Sequence, residues 1–107
     1  MRSVRVLAEA RQEVAEAVRF LLEEELEPSA ARLLVSEYRA VINYARRFFS
    51  AGKPWPEHQA SFEIRQFVFS RVPYTMIGAS RNSELVVIAV AHQKREPGYW
   101  SERLDDI

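Results

Sequence analysis

The amino-acid sequence predicts a single α+β domain, residues 1–107, in which an N-terminal helical hairpin packs on one face of a mainly antiparallel sheet. Two consecutive stretches in the N-terminal half have apolar residues at spacings of three and four, and a proline separates them. From Phe62 onward the pattern changes from helical to extended, with three β-rich runs joined by short connections. The expected order of elements is therefore β-αα-βββ, followed by a short tail.

The first strand and the first helix are expected to follow one another directly. Val4 and Val6 alternate with Arg5, which predicts a short strand. From about Glu9 to Glu25, one face is apolar and the opposite face is rich in Glu and Arg, so this stretch is predicted to be an amphipathic helix. The residues of the apolar face are Ala10, Val14, Ala17, Val18, Leu21 and Leu22.

The second helix is predicted over about residues 29–49, because Pro28 disfavours a helix interior but suits a first turn. Its apolar residues form a heptad-like seam of Leu34, Tyr38, Val41, Ala45 and Phe48. The short connection predicts that the two helices pack as an antiparallel hairpin, seam to seam. Gly52 and the Pro54-Trp55-Pro56 triplet then predict a loop to about residue 60.

Two strands and a tight turn are predicted next. In the first strand, residues 62–69, the alternation slips between Ile64 and Phe67, which indicates either a β-bulge or a strand covered on both faces. The second strand covers residues 72–79, and a tight turn is expected at 81–83. Because the connections are short, these strands should be antiparallel neighbours.

The last strand is predicted over 84–92, since residues 85–91 are continuously apolar and rich in β-branched side chains. Such a strand is expected to be covered on both faces. Pro97-Gly98 separates it from a tail in which Tyr99 and Arg103 stand four residues apart, as on one helical turn.

Composition argues against several classes of function. Basic and acidic residues number 15 each, so the net charge is zero and direct DNA binding is not expected. The absence of cysteine fits a reducing compartment such as the cytoplasm, and no stretch is apolar for the roughly 20 residues of a membrane span. His58 and His92 lie in different segments with no further ligand at a recognisable spacing, so neither a metal nor a cofactor is expected.

The tail contains a defined pattern, which consists of His92, Arg95, Pro97, Tyr99, Trp100 and Arg103. Together with Arg65 in one strand and Val72-Pro73-Tyr74 at the start of the next, this pattern resembles the ParE/RelE superfamily of type II toxin-antitoxin modules. The tail agrees at every defined position with the H-x-x-R-x-P-x-Y-W-x-x-R pattern of the ParE-like plasmid stabilisation toxins. The resemblance spans nearly the whole chain and implies a RelE/ParE-like fold.

The resemblance implies a toxin subunit with two protein partners. ParE-type toxins bind DNA gyrase and block its cycle, and a cognate antitoxin neutralises them by wrapping its C-terminal segment around the toxin. The residues expected to bind the target, as an exposed terminal patch, are Arg95, Tyr99, Trp100 and Arg103. The residues expected to bind the antitoxin, in a groove between the helices and the sheet edge, are Phe48, Phe49, Trp55 and Arg65. The alternative to an interface role is burial in the hydrophobic core, and the sequence favours this alternative for Phe48, Phe67 and Phe69.

Two alternative functions stay open. A RelE-like, ribosome-dependent mRNA endoribonuclease needs a proton acceptor, cations for the phosphate and a ring that stacks on a base. Residues of these types are Arg65, Arg81, His92, Arg95 and Tyr99. The second alternative is a non-toxic protein-interaction module with the same fold.

Purely structural roles are open for the same residues. His92 would end a strand and bond to the backbone, and Trp100 would pack the tail against the sheet. Arg95 and Arg103 would pair with an acidic residue of the tail, namely Glu96, Glu102, Asp105 or Asp106. An arginine among apolar neighbours, as Arg65 is, must reach solvent or a partner because an unpaired buried charge is too costly.

Overall fold

The computed structural model describes residues 1–55 and 62–107. Its helices and strands in chain order are β1 (Ser3–Val6), α1 (Ala8–Glu23), α2 (Pro28–Arg47), β2 (Lys53–Pro54), β3 (Glu63–Val68), β4 (Tyr74–Arg81) and β5 (Glu84–His92). Short 3₁₀ segments follow α2, at Phe49–Ala51, and end the tail, at Ser101–Asp106. The predicted α+β class and the order β-αα-βββ are confirmed, and β2 is an additional short strand within the predicted loop.

The five strands form one sheet in the order β1-β5-β4-β3-β2. β1 is parallel to β5, with Ser3 opposite Glu84 and Val6 opposite Val87, and the other three neighbouring pairs are antiparallel. The sheet is therefore mainly antiparallel, as predicted. Because β1 pairs with the last strand, the N-terminus lies beside the β4–β5 turn, where Ser3 donates its backbone N–H to Ser83.

Hydrophobic side chains are buried on both faces of the sheet. The helices cover one face, where the buried cluster includes Leu34, Met76 and Val87. The opposite face has a second buried cluster, which includes Ile88 and Trp100. The prediction that the last strand is covered on both faces is correct, because neighbouring residues of β5 belong to different clusters.

The irregularity of the sheet lies in β5. The ladder between β3 and β4 is regular, and Ile64 and Phe67 are buried in different clusters. The broken alternation of β3 therefore reflects a strand covered on both faces. A bulge occurs instead at Ile88, between the pairs Ile77–Ala89 and Gly78–Val87.

The end of α2 places two neighbouring phenylalanines in opposite environments. The helix ends at Arg47, and the chain continues as a 3₁₀ turn. Phe48 is 53% exposed and packs against Tyr44, with 5.3 Å between the ring centroids, whereas Phe49 is 2% exposed. The expectation that Phe48 belongs to the core is thus wrong, because the change of helix geometry turns Phe49 inward instead. Phe67 and Phe69 are buried as predicted.

The connection after α2 is held close to β3. Lys53 and Pro54 pair with Gln66 and Arg65. Gly52 precedes this short strand, and a Cβ atom there would lie 2.5 Å from the Phe67 ring, so only glycine fits without a shift. The remainder of the predicted loop, including Pro56 and His58, lies outside the described residues.

The predicted tight turn between β4 and β5 is present. Asn82 and Ser83 have φ values of 52° and 62°, which are the positive values that a two-residue type I′ hairpin requires. Among the described residues, no helix combines the length and the apolar character that a membrane span needs.

Candidate functional site

The C-terminal tail packs against the sheet face that the helices leave free. Trp100 is 2% exposed and meets the Trp55 ring edge-on, with 5.1 Å between the centroids. Gly98, with φ of 79°, lets the chain reverse before this contact. The expectation that Trp100 belongs to an exposed patch is therefore wrong, because its indole fills the second core.

A carboxylate of α1 anchors the tail. The two terminal nitrogens of Arg103 donate to the two oxygens of Glu13 at 2.9 and 3.0 Å, and the Tyr99 hydroxyl donates to Glu13 Oε2 at 2.5 Å. The side chains of Arg103 and Glu13 are only 17% and 13% exposed. Arg103 thus pairs with a residue of the first helix, and the expectation of a partner within the tail is wrong.

Arg103 and Glu13 also form hydrogen bonds with the part of the β5 edge that β1 does not reach. β1 pairs with β5 only as far as Val87, which leaves the following backbone groups on that edge without a strand partner. Arg103 Nη1 donates to the carbonyl of Ile88 at 3.0 Å, and the N–H of Val90 donates to Glu13 Oε1 at 3.1 Å. Two side chains therefore supply hydrogen bonds that a longer β1 would have made.

Glu13 is a functional residue that was not predicted, although the sequence does contain a signal for it. Glu13 stands three residues after Ala10 and four before Ala17, so it lies within the apolar stripe of α1. A carboxylate at such a position needs a buried partner. The identity of that partner, 90 positions away in the chain, follows only from the folded structure.

The environment fixes the protonation states of this cluster. Burial, the hydrogen bond to Glu13 and the charge of Glu13 all raise the pKa of Tyr99, in that order of size. The hydrogen bond to Glu13 is also the largest cause of the raised pKa of Arg103. At neutral pH, Tyr99 is therefore a neutral phenol and Arg103 a cation. The cluster of Glu13, Tyr99 and Arg103 is thus suited to stabilising the position of the tail rather than to transferring protons.

Arg95 and His92 lie at the outer side of this cluster. The exposed guanidinium of Arg95 stacks over the Tyr99 ring, 3.9 Å from its centroid. His92 ends β5, accepts the backbone N–H of Lys94 on Nδ1 at 3.1 Å and meets the Tyr74 ring edge-on. The structural role suggested for His92, a bond to the backbone at a strand end, is present.

The hollow at this end of the sheet is small. His92, Arg95 and Tyr99 line it together with Thr75 and Gln66, and its volume is about 110 Å³. Typical small-molecule pockets measure roughly 300–1,000 Å³. The hollow is therefore too small to enclose a nucleotide, whereas the exposed Arg95–Tyr99 stack beside it is accessible to a protein surface.

The five residues considered for ribonuclease activity are not brought together. Arg81 lies at the β4–β5 turn, at the other end of β5 from His92, and a strand of this length spans roughly 26 Å. Arg65 is held on the helix side, where it pairs with Glu63 at 3.0 Å and donates to the carbonyl of Gly52 at 2.7 Å. The expectation of one shared site for these residues is wrong because the sheet separates them.

A groove lies between α2 and the outer strands. Its volume is about 620 Å³, and its lining includes Val41, Tyr44, Phe67 and Val68. Tyr44 is 50% exposed and Val68 is 61% exposed. On the outer edge of β3, β2 pairs with Arg65 and Gln66 and the N–H of Trp55 donates to the carbonyl of Ile64, whereas no pairing reaches Phe67 or Val68 within the described residues. An apolar surface beside a partly open strand edge is typical of peptide-binding grooves.

The structure separates the four residues predicted to bind an antitoxin. Phe48 is exposed next to the groove, beside Tyr44. Phe49 is buried, so the expectation that it is accessible to a partner is wrong. Arg65 and Trp55 are half-buried, and Trp55 uses its ring to cover Trp100. Tyr44 and Val68 are further candidates for this surface that were not predicted from the sequence.

Comparison with known proteins gives a structural match. No protein-family model matches the chain, and no curated protein matches its sequence. The fold is similar to a chain of the solved structure described as "Chromosomal ParDE TA system from P. aeruginosa", with a TM-score of 0.66 and 13% sequence identity. The match covers 86% of this chain and 96% of that chain. At this identity the likeness shows the fold, which is the RelE/ParE-like fold that the sequence predicted.

Proposed function

We propose that this chain is a ParE-like toxin subunit of a type II toxin-antitoxin module, which acts by binding DNA gyrase and is neutralised by a cognate antitoxin. The observation that supports the proposal is the similarity of fold to a chain of the ParDE system, which covers 86% of this chain. The tail pattern from His92 to Arg103 points to the same class independently of the fold. Fold alone does not determine function, and a toxin of this class also requires surfaces for two partners.

The groove along α2 is the surface that suits an antitoxin. It offers the side chains of Tyr44 and Val68 beside a strand whose edge is incompletely paired within the described residues. A partner segment with an apolar face would bury these side chains, and each exposed aromatic or branched residue that is buried contributes about 1–3 kcal/mol. Phe48 extends this surface at the end of the helix.

The Arg95–Tyr99 stack is the surface that suits the target. Arg95 is exposed, and the ring beneath it restricts its guanidinium, so less conformational entropy is lost when a partner binds. Trp100 and Arg103 act indirectly in this proposal, since they hold the tail in place. The target-binding role predicted for all four residues is thereby narrowed to direct contact by Arg95 and Tyr99.

The ribonuclease is the second candidate. The observation in its favour is that His92, Arg95 and Tyr99 line one hollow. Binding is preferred to cleavage because the additional cations, Arg65 and Arg81, lie elsewhere and because the tail covers much of that sheet face. The non-toxic interaction module differs from the main proposal only in lacking an effect on gyrase.

The test measures gyrase and mRNA separately. Purified chain is added to bacterial DNA gyrase, relaxed plasmid and ATP, and in parallel to a translating extract whose mRNA is mapped for cleavage. We expect inhibited supercoiling and intact mRNA. Arg95→Ala should weaken inhibition roughly tenfold, as loss of a central interface arginine does. Arg19→Ala, which changes an exposed arginine on α1, serves as the matched control.

Each outcome has a definite meaning. Cleaved mRNA with normal supercoiling would replace the gyrase proposal with the ribonuclease. Normal supercoiling with intact mRNA would leave the interaction module. Equal inhibition by wild type and Arg95→Ala would keep gyrase as the target but reject the Arg95–Tyr99 stack as the contact surface.

A further inference from the structure

A cleft with several arginines lies near the start of β5, whereas His92 and Arg95 lie at and beyond its other end. The start of β1, the end of α2 and the β4–β5 turn surround it, and its volume is about 340 Å³. The side chains around it that can form hydrogen bonds are Arg2, Arg46, Arg47, Ser80 and Ser83. No acidic residue contributes to this lining among the described residues.

Backbone and side-chain hydrogen bonds fix two of the arginines. Arg46 Nε donates to the carbonyl of Arg2 at 2.9 Å, and the backbone N–H of Arg2 donates to the carbonyl of Arg46 at 3.2 Å. Arg2 Nε donates to Ser80 Oγ at 2.9 Å, and its guanidinium lies 5.3 Å from the Phe49 ring centroid. Both side chains are thus held through Nε, and within the described residues their terminal nitrogens donate no hydrogen bond, so they are available to a ligand.

The positive charge of the cleft is not balanced within the described part of the chain. Three ion pairs occur there, and they join Arg5 to Glu84, Arg65 to Glu63 and Arg103 to Glu13. None includes an arginine of the cleft. The negative end of the α2 dipole, equivalent to about half an elementary charge, favours Arg46 and Arg47 near the helix end but offsets only a fraction of three positive charges.

We propose that this cleft binds a terminal phosphate group, such as that of a nucleotide or of a 5′-phosphorylated strand. A terminal phosphate has close to two negative charges at neutral pH and several acceptor oxygens, which match converging guanidinium groups. The hydroxyl of Ser83, at the turn, is a further donor. The cleft exceeds the size of a lone phosphate ion, so it has room for part of the molecule that bears the phosphate.

This inference is independent of the proposed function. The cleft lies beside the β4–β5 turn, whereas Arg95 and Tyr99 lie beyond the other end of β5. Loss of phosphate binding would therefore leave the gyrase assay of Arg95→Ala interpretable, and the reverse also holds.

The experiment is calorimetric titration of the untagged full chain in a low-salt buffer free of phosphate. The probes are inorganic phosphate, adenosine monophosphate, and a short single-stranded oligonucleotide with and without a 5′-phosphate. We expect binding of the monophosphate, and tighter binding of the phosphorylated strand than of its unphosphorylated twin. Binding should weaken from pH about 7.5 to about 5.5, because the second pKa of a phosphate group is near 6.

Variants assign the binding to the cleft. Arg46→Gln and Arg2→Gln should each weaken it at least about tenfold, because each removes charge-assisted hydrogen bonds. Arg19→Gln removes the same charge from an exposed position on α1 and should leave affinity unchanged. Amide chemical shifts in the nuclear magnetic resonance spectrum should move at Ser80 and Ser83 on titration.

The probes also distinguish a small molecule from a nucleic-acid strand as the source of the phosphate, and several outcomes would overturn the proposal. Binding of inorganic phosphate and the monophosphate, but not of the phosphorylated strand, supports a small-molecule ligand. Equal binding of the two strands would mean that the backbone is recognised, which overturns the terminal-phosphate proposal. Absence of binding by every probe would overturn it as well. So would a loss of affinity in Arg19→Gln equal to the loss in the cleft variants, or binding of an acidic peptide with greater affinity than every phosphate probe.

Discussion

Glu13 illustrates how one carboxylate can hold two distant parts of the chain together. Both of its oxygens accept from Arg103, one of them also accepts from Tyr99, and the other accepts from the backbone of Val90. A half-buried charge is tolerated only when its hydrogen-bonding capacity is satisfied, and here four donors satisfy it. The surface of Arg95 depends on this arrangement because Tyr99 supports its guanidinium.

We predict that Glu13→Gln lowers the free energy of unfolding by about 1–3 kcal/mol. The amide keeps an acceptor but leaves the charge of Arg103 uncompensated in a site that is mostly shielded from water. The pKa of Tyr99 should fall, yet stay above its ordinary value, because burial is the larger cause of its rise. Urea unfolding measures the first effect, and absorbance titration of the tyrosinate measures the second.

The matched control is Glu16→Gln, one turn further along α1, where the exposed carboxylate accepts a hydrogen bond from Gln12. This change should alter stability by less than about 0.5 kcal/mol. Equal stability of the Glu13→Gln variant and the wild type would contradict the anchoring role of the carboxylate.

Stability at alkaline pH provides a second prediction at the residue scale. The pKa of Tyr99 is raised above its value of 10.0 in an unfolded chain, so its contribution to stability is complete below pH about 10 and is lost as pH rises further. Tyr99→Phe should therefore be less stable than wild type near pH 8, by about 1 kcal/mol for the lost hydrogen bond. Above pH 10, the difference between the two proteins should shrink.

Urea unfolding at several pH values between about 8 and 11.5 tests this prediction. Tyr38 and Tyr74 also have raised pKa values through burial, so both proteins should lose stability in alkali, and only the difference between them reports on Tyr99. Tyr44→Phe changes an exposed tyrosine and serves as the control. A constant difference across this pH range would show that ionisation of Tyr99 is not linked to folding.

At the scale of elements, α2 and β3 form the groove, and its exposed residues allow binding to be separated from stability. Tyr44→Ser with Phe48→Ser should leave the free energy of unfolding within about 1 kcal/mol of wild type, because both rings are about half exposed. If the groove binds the proposed antitoxin, the same double variant should bind that protein at least roughly tenfold more weakly. Titration of the two purified proteins measures the change.

The control for the groove is Phe20→Ser with Leu22→Ser, a pair of exposed apolar residues on α1 that do not line this groove. It should bind that partner as wild type does. Equal affinity of the groove variant and the wild type would reject the groove as the site of the proposed antitoxin.

The local pattern of apolar residues explains which elements the sequence could predict. β5 was predicted with its observed bounds because a continuous apolar run between a turn and a polar cluster has one interpretation. β2 has two residues, one of them a proline, so it has no period to detect. The exchange of roles between Phe48 and Phe49 arises because α2 ends at Arg47, and a helical period does not extend into a 3₁₀ turn.

At the scale of the whole molecule, the contacts that create the candidate sites join residues distant in sequence. The pairing of β1 with β5 places Arg2 beside Ser80, and the packing of α1 places Glu13 beside Arg103. Local patterns predicted the fold class because the two helices and the longer strands each have a recognisable pattern of apolar residues. They could not predict these partners, since a charged side chain gives no indication in sequence of which distant residue will meet it.

The two cores, on opposite faces of one sheet, should unfold together. Adjacent residues of β5, Val87 and Ile88, point into different cores, so neither core can lose its strands without exposing the other. Trp100 lies in the buried cluster on the tail side of the sheet and Trp55 packs against that cluster, whereas both helices lie on the other side. Tryptophan fluorescence and far-ultraviolet circular dichroism therefore report on different layers, and we predict coincident urea transitions.

A matched pair of variants makes this last prediction sharper. Val87→Ala removes methyl groups from the core on the helix side of the sheet and should lower the free energy of unfolding by about 1–3 kcal/mol. Ile88→Val removes one methyl group from the core on the tail side and should lower it by about 0.5–1.5 kcal/mol. Each should shift both signals by the same amount. A fluorescence transition at lower urea, moved by Ile88→Val alone, would mean that the tail detaches as a separate unit, and the Arg95–Tyr99 surface would then depend on an equilibrium rather than on a fixed structure.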